Sequence, residues 1–120
     1  MDNWSRTNQW TDKSLTFFDV EVDTLDRKAA ALSAIDLLWM DVQGAEGQVL
    51  TGGTETLKRT KAVVLEVALA YSPYHGAQLL PQVNRTLQSF GFVCTGLGLD
   101  ARTGTGNAFY VKAYESLVCE

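Results

Sequence analysis

The sequence predicts an α/β fold with a mostly parallel sheet and an antiparallel last strand. Three observations lead there. Residues 35–42 (IDLLWMDV) and 62–69 (AVVLEVAL) are near-continuous apolar runs of strand length. Strands covered on both faces read this way. The stretch between them and the stretch 78–89 read as helix, so strands and helices alternate. Such alternation implies parallel strands with helices on the faces of the sheet. Near the C-terminus, two short apolar segments flank a glycine-rich connection, which suits a hairpin.

Residues 1–14 are polar and without period, an N-terminal arm whose large anchors are Trp4 and Trp10. The α/β domain is expected to occupy residues 15–120. Residues 15–22 (LTFFDVEV) alternate, with Phe18, Val20 and Val22 on one side and Asp19 and Glu21 on the other. They predict a half-buried strand. Thr24 or Asp26 then caps a short helix over 27–33. Gln43-Gly44 turns the chain after the second strand. A helix starts at Glu46 with Val49, Leu50 and Leu57 inward, and Gly52-Gly53 should break it. Thr54 can cap a second piece to Arg59.

Ser72-Pro73 marks a loop after the third strand. In 78–89, Leu79, Leu80, Val83 and Leu87 recur at helical spacing, Pro81 falls in the first turn and Gly91 stops the helix. Strands are expected over 92–95 and 108–112, joined by the connection 96–106.

Composition narrows the function classes. The chain has 120 residues, enough for one domain with a single core. The net charge of −4 gives no field for nucleic acid and no polybasic membrane patch. No apolar stretch resembles a signal peptide, and the run 62–71 is interrupted by Glu66 and too short to span a bilayer. Cys94 and Cys119 form neither a CxxC nor a zinc spacing. Cys94 reads as a small buried hydrophobe and both thiols as reduced, in a cytoplasmic setting. The glycines at 96, 98, 104 and 106 form no phosphate-loop motif.

In open α/β sheets ligands bind beyond the carboxyl ends of the strands. That rule selects Asp41, Gln43 and Gly44 after one strand and Glu66, Tyr71 and His75 at and after the next. Asp41 and Glu66 are the candidate catalytic groups. Gln43, Gly44, Glu46, Tyr71 and His75 are candidates for a substrate or donor edge. Each has a plainer alternative. Glu46 would stabilise a helix N-terminus by about 0.3–1 kcal/mol. Asp41 could accept the Gly44 and Ala45 amides, because a carboxylate at the end of a buried strand needs hydrogen bonds. Glu66 could pair with a cation, and His75 could be a solvated loop residue. Asp41, Glu46, Glu66 and His75 offer hard and borderline ligands, yet no metal-binding spacing joins them, so no metal is expected.

The residues Thr24-Leu25-Asp26, "IDLLWMDVQGAEGQVLTGG", "VVLEV", the loop Tyr71 to Tyr74, "LQSFGF" and "NAFYV" together resemble the C-terminal half of an FkbM-type methyltransferase. The resemblance runs from about Val20 to Val111. It implies a three-layer Rossmann-like half-sheet, S-adenosylmethionine as cofactor and O-methyl transfer to a small-molecule acceptor. It also implies that Asp41 and its turn sit beside donor and acceptor, and that Glu66 ends the next strand near the acceptor. Asp41 would be the general base. Trp39 stands where the family often has lysine. The family's glycine-rich donor loop and ribose-binding acid are missing, so the chain reads as a truncated, fragmentary or inactive form when alone.

The missing strands would leave one edge of strand 35–42 open, and apolar edges invite pairing. The expectation is cover by strand 15–22 or by a second chain, hence a homo-oligomer. Two rival readings are a non-catalytic dimeric binding or assembly module and, last, a metal-dependent hydrolase.

Overall fold

The computed structural model describes residues 16–113. The expected arm over 1–14, with Trp4 and Trp10, lies outside these residues, as does Cys119. The elements are α1 (Leu25–Lys28), β1 (Ile35–Met40), α2 (Glu46–Thr51), α3 (Thr54–Lys58), β2 (Thr60–Ala68), α4 (Leu80–Ser89), β3 (Phe92–Leu99) and β4 (Thr105–Lys112). The four strands form one open mixed sheet in the order β1-β2-β4-β3. β1 and β2 are parallel, with Met40 opposite Leu65. β4 runs antiparallel to both β2 and β3. Three strands therefore share a direction and the last one opposes them, as expected.

The core lies on one face of the sheet. Met40, Val63, Leu65, Val67, Ala108, Tyr110 and Phe92 meet Leu50 of α2, Leu57 of α3 and Val83 and Leu87 of α4. Val83 and Leu87 are one helical turn apart, which is why the predicted stripe packs. Tyr110 reaches through the core and donates its hydroxyl to Asn84 Oδ1 at 2.9 Å. Burial pushes that hydroxyl up to about 12. Lys112 crosses the Phe92 ring at 4.7 Å and donates to the carbonyls of Leu57 and Lys58, closing the C-terminal end of α3.

The break at Gly52-Gly53 is present, and it has a packing reason. A β-carbon on Gly53 would stand 2.8 Å from Leu25 Cδ2, so glycine lets α1 dock against the α2–α3 corner. Asp26 completes the dock. Its carboxylate accepts from the Thr56 amide, the Thr56 hydroxyl and the Glu55 amide. The Thr56 hydroxyl above all holds the Asp26 carboxyl below its usual range. Thr24, not Asp26, caps α1 by accepting from the Arg27 amide. The helix stops at Lys28 rather than Ser33, where the Arg59 guanidinium takes the carbonyls of Ala29 and Leu32.

Four expectations are corrected. Residues 16–22 of the expected strand 15–22 are not in a strand, and Phe17 and Val22 stand 84% and 91% exposed. Alternation supplied an apolar side but no paired neighbour. That segment therefore does not cover the outer edge of β1. β1 is also not buried on both faces: Leu37 and Trp39 are exposed, on the side away from the described helices. Cys94 lies in a strand but is exposed, because β3 is an edge. Finally, residues 96–99, 105 and 106 of the expected connection are strand. A β-carbon on Gly106 would collide with the Gly98 carbonyl, so these glycines permit close pairing where a loop seemed natural.

Candidate active site

The site is built on one turn and one loop. β1 ends at Met40, and α2 begins at Glu46. Between them Gln43 and Gly44 both take positive φ, 53° and 97°. Two such residues in succession reverse the chain and bring Glu46 back beneath the strand end. Glu46 is buried, and its Oε1 accepts from the Val42 amide at 3.1 Å. Glu46 thus closes the turn that carries Asp41. The plainer alternative for Asp41, bonds from the Gly44 and Ala45 backbone amides, gives way to a side-chain donor: Asp41 Oδ1 accepts from Gln43 Nε2 at 2.8 Å.

The parallel pairing of β1 and β2 decides the next neighbour. Met40 faces Leu65, so one step further Asp41 comes level with Glu66. Carboxylate oxygens of Asp41, Glu46 and Glu66 lie within 4.8 Å of one another. Such crowding disfavours full ionisation. Burial pushes the Glu66 carboxyl up first, followed by the charge and hydrogen bonding of Asp41 and the charge of Glu46. A carboxyl pushed toward its neutral form beside a second carboxyl group is able to exchange protons with a bound hydroxyl.

The loop after β2 lies on the turn. The Tyr74 ring packs against Gly44, where a β-carbon would stand 2.8 Å from Tyr74 Cγ. Gln78 packs likewise on Gly47, where a β-carbon would stand 2.5 Å from its Cδ. These contacts explain both glycines of "QGAEG". The Tyr74 hydroxyl donates to Gln43 Oε1. Burial, then the charges of Glu66, Asp41 and Glu46, push that hydroxyl above its ordinary value, so it remains a donor at neutral pH.

A cleft of about 90 Å³ opens here, lined by Gly44, Glu46, Glu66, Tyr74, Gln78 and Thr105 among others. A second cleft of about 220 Å³ shares Gly44 and Gln78 and adds Gly47, Gln48, Thr51 and Gly76. Of the expected residues, Asp41, Gln43, Gly44, Glu46 and Glu66 come together. Tyr71 and His75 are exposed on the loop, Asp41 and Gln43 are exposed on the turn, and none of the four lines either cleft. Tyr74, Gln78 and Thr105 were not among the expected site residues. The glycines at 44 and 47 were the signal for the first two, since each marks a place where another chain segment approaches closely.

The chain is 44% identical over 64 residues to the 2-O-methyltransferase NoeI of Sinorhizobium fredii (strain NBRC 101917 / NGR234), a match covering 53% of this chain and 26% of that protein. The chain therefore matches about a quarter of that curated relative's length. No solved structure matches the chain. Residues 3–94 match the methyltransferase FkbM domain, and the chain belongs to that family.

Proposed function

We propose that the Asp41–Glu66 edge is the acceptor side of an S-adenosylmethionine-dependent O-methyl transfer site. The observation that carries the reading is the convergence of three carboxylates at the carboxyl ends of two parallel strands, beside a cleft, in a chain of this family. The name of the relative, a 2-O-methyltransferase, supports oxygen as the methylated atom. Asp41 takes the proton of the acceptor hydroxyl as the new bond forms. Glu66 sets the local charge, and Glu46 holds the turn.

A bound donor would supply an electrophilic methyl group from a positively charged sulfonium, whose S–CH₃ bond would break to leave a neutral thioether. The acid cluster suits that charge. The cleft does not suit the whole donor, because small-molecule pockets run to about 300–1,000 Å³ and this one is about 90 Å³. The adjoining cleft of about 220 Å³ does not reach that size either, so the described residues enclose only part of the donor, and weak binding is the expected result. The face bearing Leu37, Trp39, Phe109 and Val111 is exposed and apolar. It is the side that a further layer covers in a three-layer Rossmann-like sheet, and it borders the acid edge. The open edge of β1 pairs with a second copy of the chain.

The test is labelled-methyl transfer to polyhydroxylated acceptors at millimolar donor, with calorimetry of donor binding alongside. Slow transfer and weak binding are expected, with Asp41→Asn lowering the rate about a hundredfold or more. Transfer unchanged in that variant defeats the assignment of Asp41. Absence of transfer at any donor concentration, together with concentration-dependent association, favours the non-catalytic assembly module.

A further inference from the structure

Asp41 does not stand alone at the end of β1. Its Oδ1 accepts from Gln43 Nε2 at 2.8 Å, and Gln43 Oε1 accepts from the Tyr74 hydroxyl. An amide can be placed either way round, and its partners decide which. A carboxylate only accepts, so the NH₂ group must face Asp41. The oxygen must then face a donor, and the Tyr74 hydroxyl is one. Gln43 is also the one non-glycine with positive φ among the described residues, at 53°. That conformation costs free energy in a residue with a β-carbon, and such positions cluster where function fixes a side chain. Gly44 beside it admits the Tyr74 ring, where any side chain would collide.

We propose that Tyr74 is a positioning residue whose hydroxyl, through the Gln43 amide, fixes the orientation of the Asp41 carboxylate toward the acceptor. The proposal rests on the reading of Asp41 as the base. Tyr74 acts at one remove: it locks the Gln43 amide, which pins Oδ1 of Asp41 and so sets the plane of the carboxylate. Burial and the surrounding carboxylates keep the hydroxyl protonated, so the relay holds across the neutral range. Without the hydroxyl, the Gln43 amide keeps only its bond to Asp41, and the two side chains together sample orientations that do not reach the acceptor.

The experiment compares the full chain with its Tyr74→Phe and Gln43→Ala variants. Phenylalanine keeps the ring on Gly44, so the fold is preserved, and far-ultraviolet circular dichroism checks it. In the wild type, the Gln43 side-chain amide protons are expected downfield and protected in the nuclear magnetic resonance spectrum. In Tyr74→Phe they move to exposed values and lose protection. Methyl transfer falls about five- to tenfold through kcat at unchanged KM, the loss of roughly one hydrogen bond. Adding Gln43→Ala to Tyr74→Phe brings no further loss, since both cut the same chain of contacts. Gln43 signals that do not move in Tyr74→Phe overturn the relay, as does a double variant whose losses multiply. If Asp41→Asn leaves transfer intact, the base assignment fails by itself, and the Gln43 signals still decide the relay without any reference to turnover.

Discussion

The aromatic ring of Tyr74 rests directly on the α-carbon of Gly44, in the space that a side chain at position 44 would need. This contact joins the loop after β2 to the turn after β1, and both carry site residues. Gly44 is required twice over, by its φ of 97° and by the ring above it.

Gly44→Ala should therefore destabilise the fold by about 2 to 4 kcal/mol, combining a left-handed backbone penalty with overpacking. Urea denaturation measures it. Pairing it with Tyr74→Gly, which also removes the Tyr74 β-carbon that stands nearest, should recover the overpacking part and leave the backbone part. A Gly44→Ala protein as stable as the wild type would contradict both arguments.

Glu66 gives a pH dependence with a definite sign. Its carboxyl is raised above the ordinary 4.5 by burial first and by Asp41 next. A raised group favours the neutral form in the folded state. Its contribution is fully present below the unfolded value and is lost as the pH rises through the folded value. Glu66→Gln should thus be more stable than the wild type at neutral pH and nearly equal to it at pH below about 4.5. Denaturant midpoints at the two conditions decide this. A neutral-pH loss of stability in Glu66→Gln would mean that the charged form is stabilised instead.

Tyr110 offers a test of the core away from the site. Its hydroxyl donates to Asn84 Oδ1, tying α4 to β4. Tyr110→Phe keeps the ring and removes the bond, leaving the amide oxygen unpaired. The expected cost is about 1 to 2 kcal/mol, read from the denaturation midpoint with an unchanged m-value.

Much of this was legible in the sequence for local reasons. The run ending at Met40, the acid after it, the glycine turn and Glu66 in the next run all depend on chain-local pattern, and the parallel register then brings Asp41 level with Glu66 without further information. What was hidden depends on contacts between distant segments. Nothing local to Tyr74 or Gln78 says that they lie on Gly44 and Gly47, 30 or so residues away. The role of Glu46 was open for the same reason: helix-end placement could be read, but the bond to the Val42 amide needs the two positive φ angles between them. Residues 16–22 failed in the opposite way. Their alternation was real, yet a strand exists only through a neighbour's backbone, and the described residues hold none for it. The glycines of β3 and β4 misled because the same residue that loosens a loop also lets two backbones approach.

The outer edge of β1 is open to a partner. Among the described residues it pairs only with β2, so its other side presents free backbone groups. Beside that edge stand Leu37 and Trp39, 50% and 71% exposed. Edges of this kind are normally shortened, charged or covered, because they recruit further strands. Asp36 is the charge on this strand, and Lys61 already pairs with it at 2.8 Å. Pairing with a second copy is the expected outcome, visible as concentration-dependent mass in sedimentation velocity. Trp39→Lys places a second cation at the edge of each copy. It should abolish association while shifting the monomer's stability by no more than about 0.5 kcal/mol, as exposed substitutions usually do. Hydrogen exchange gives the independent reading: the β1 amides facing away from β2 should be protected in concentrated wild type and unprotected in Trp39→Lys. A protein that stays monomeric at every concentration, with those amides exchanging freely, would leave the edge uncovered and rule out the second copy as its partner.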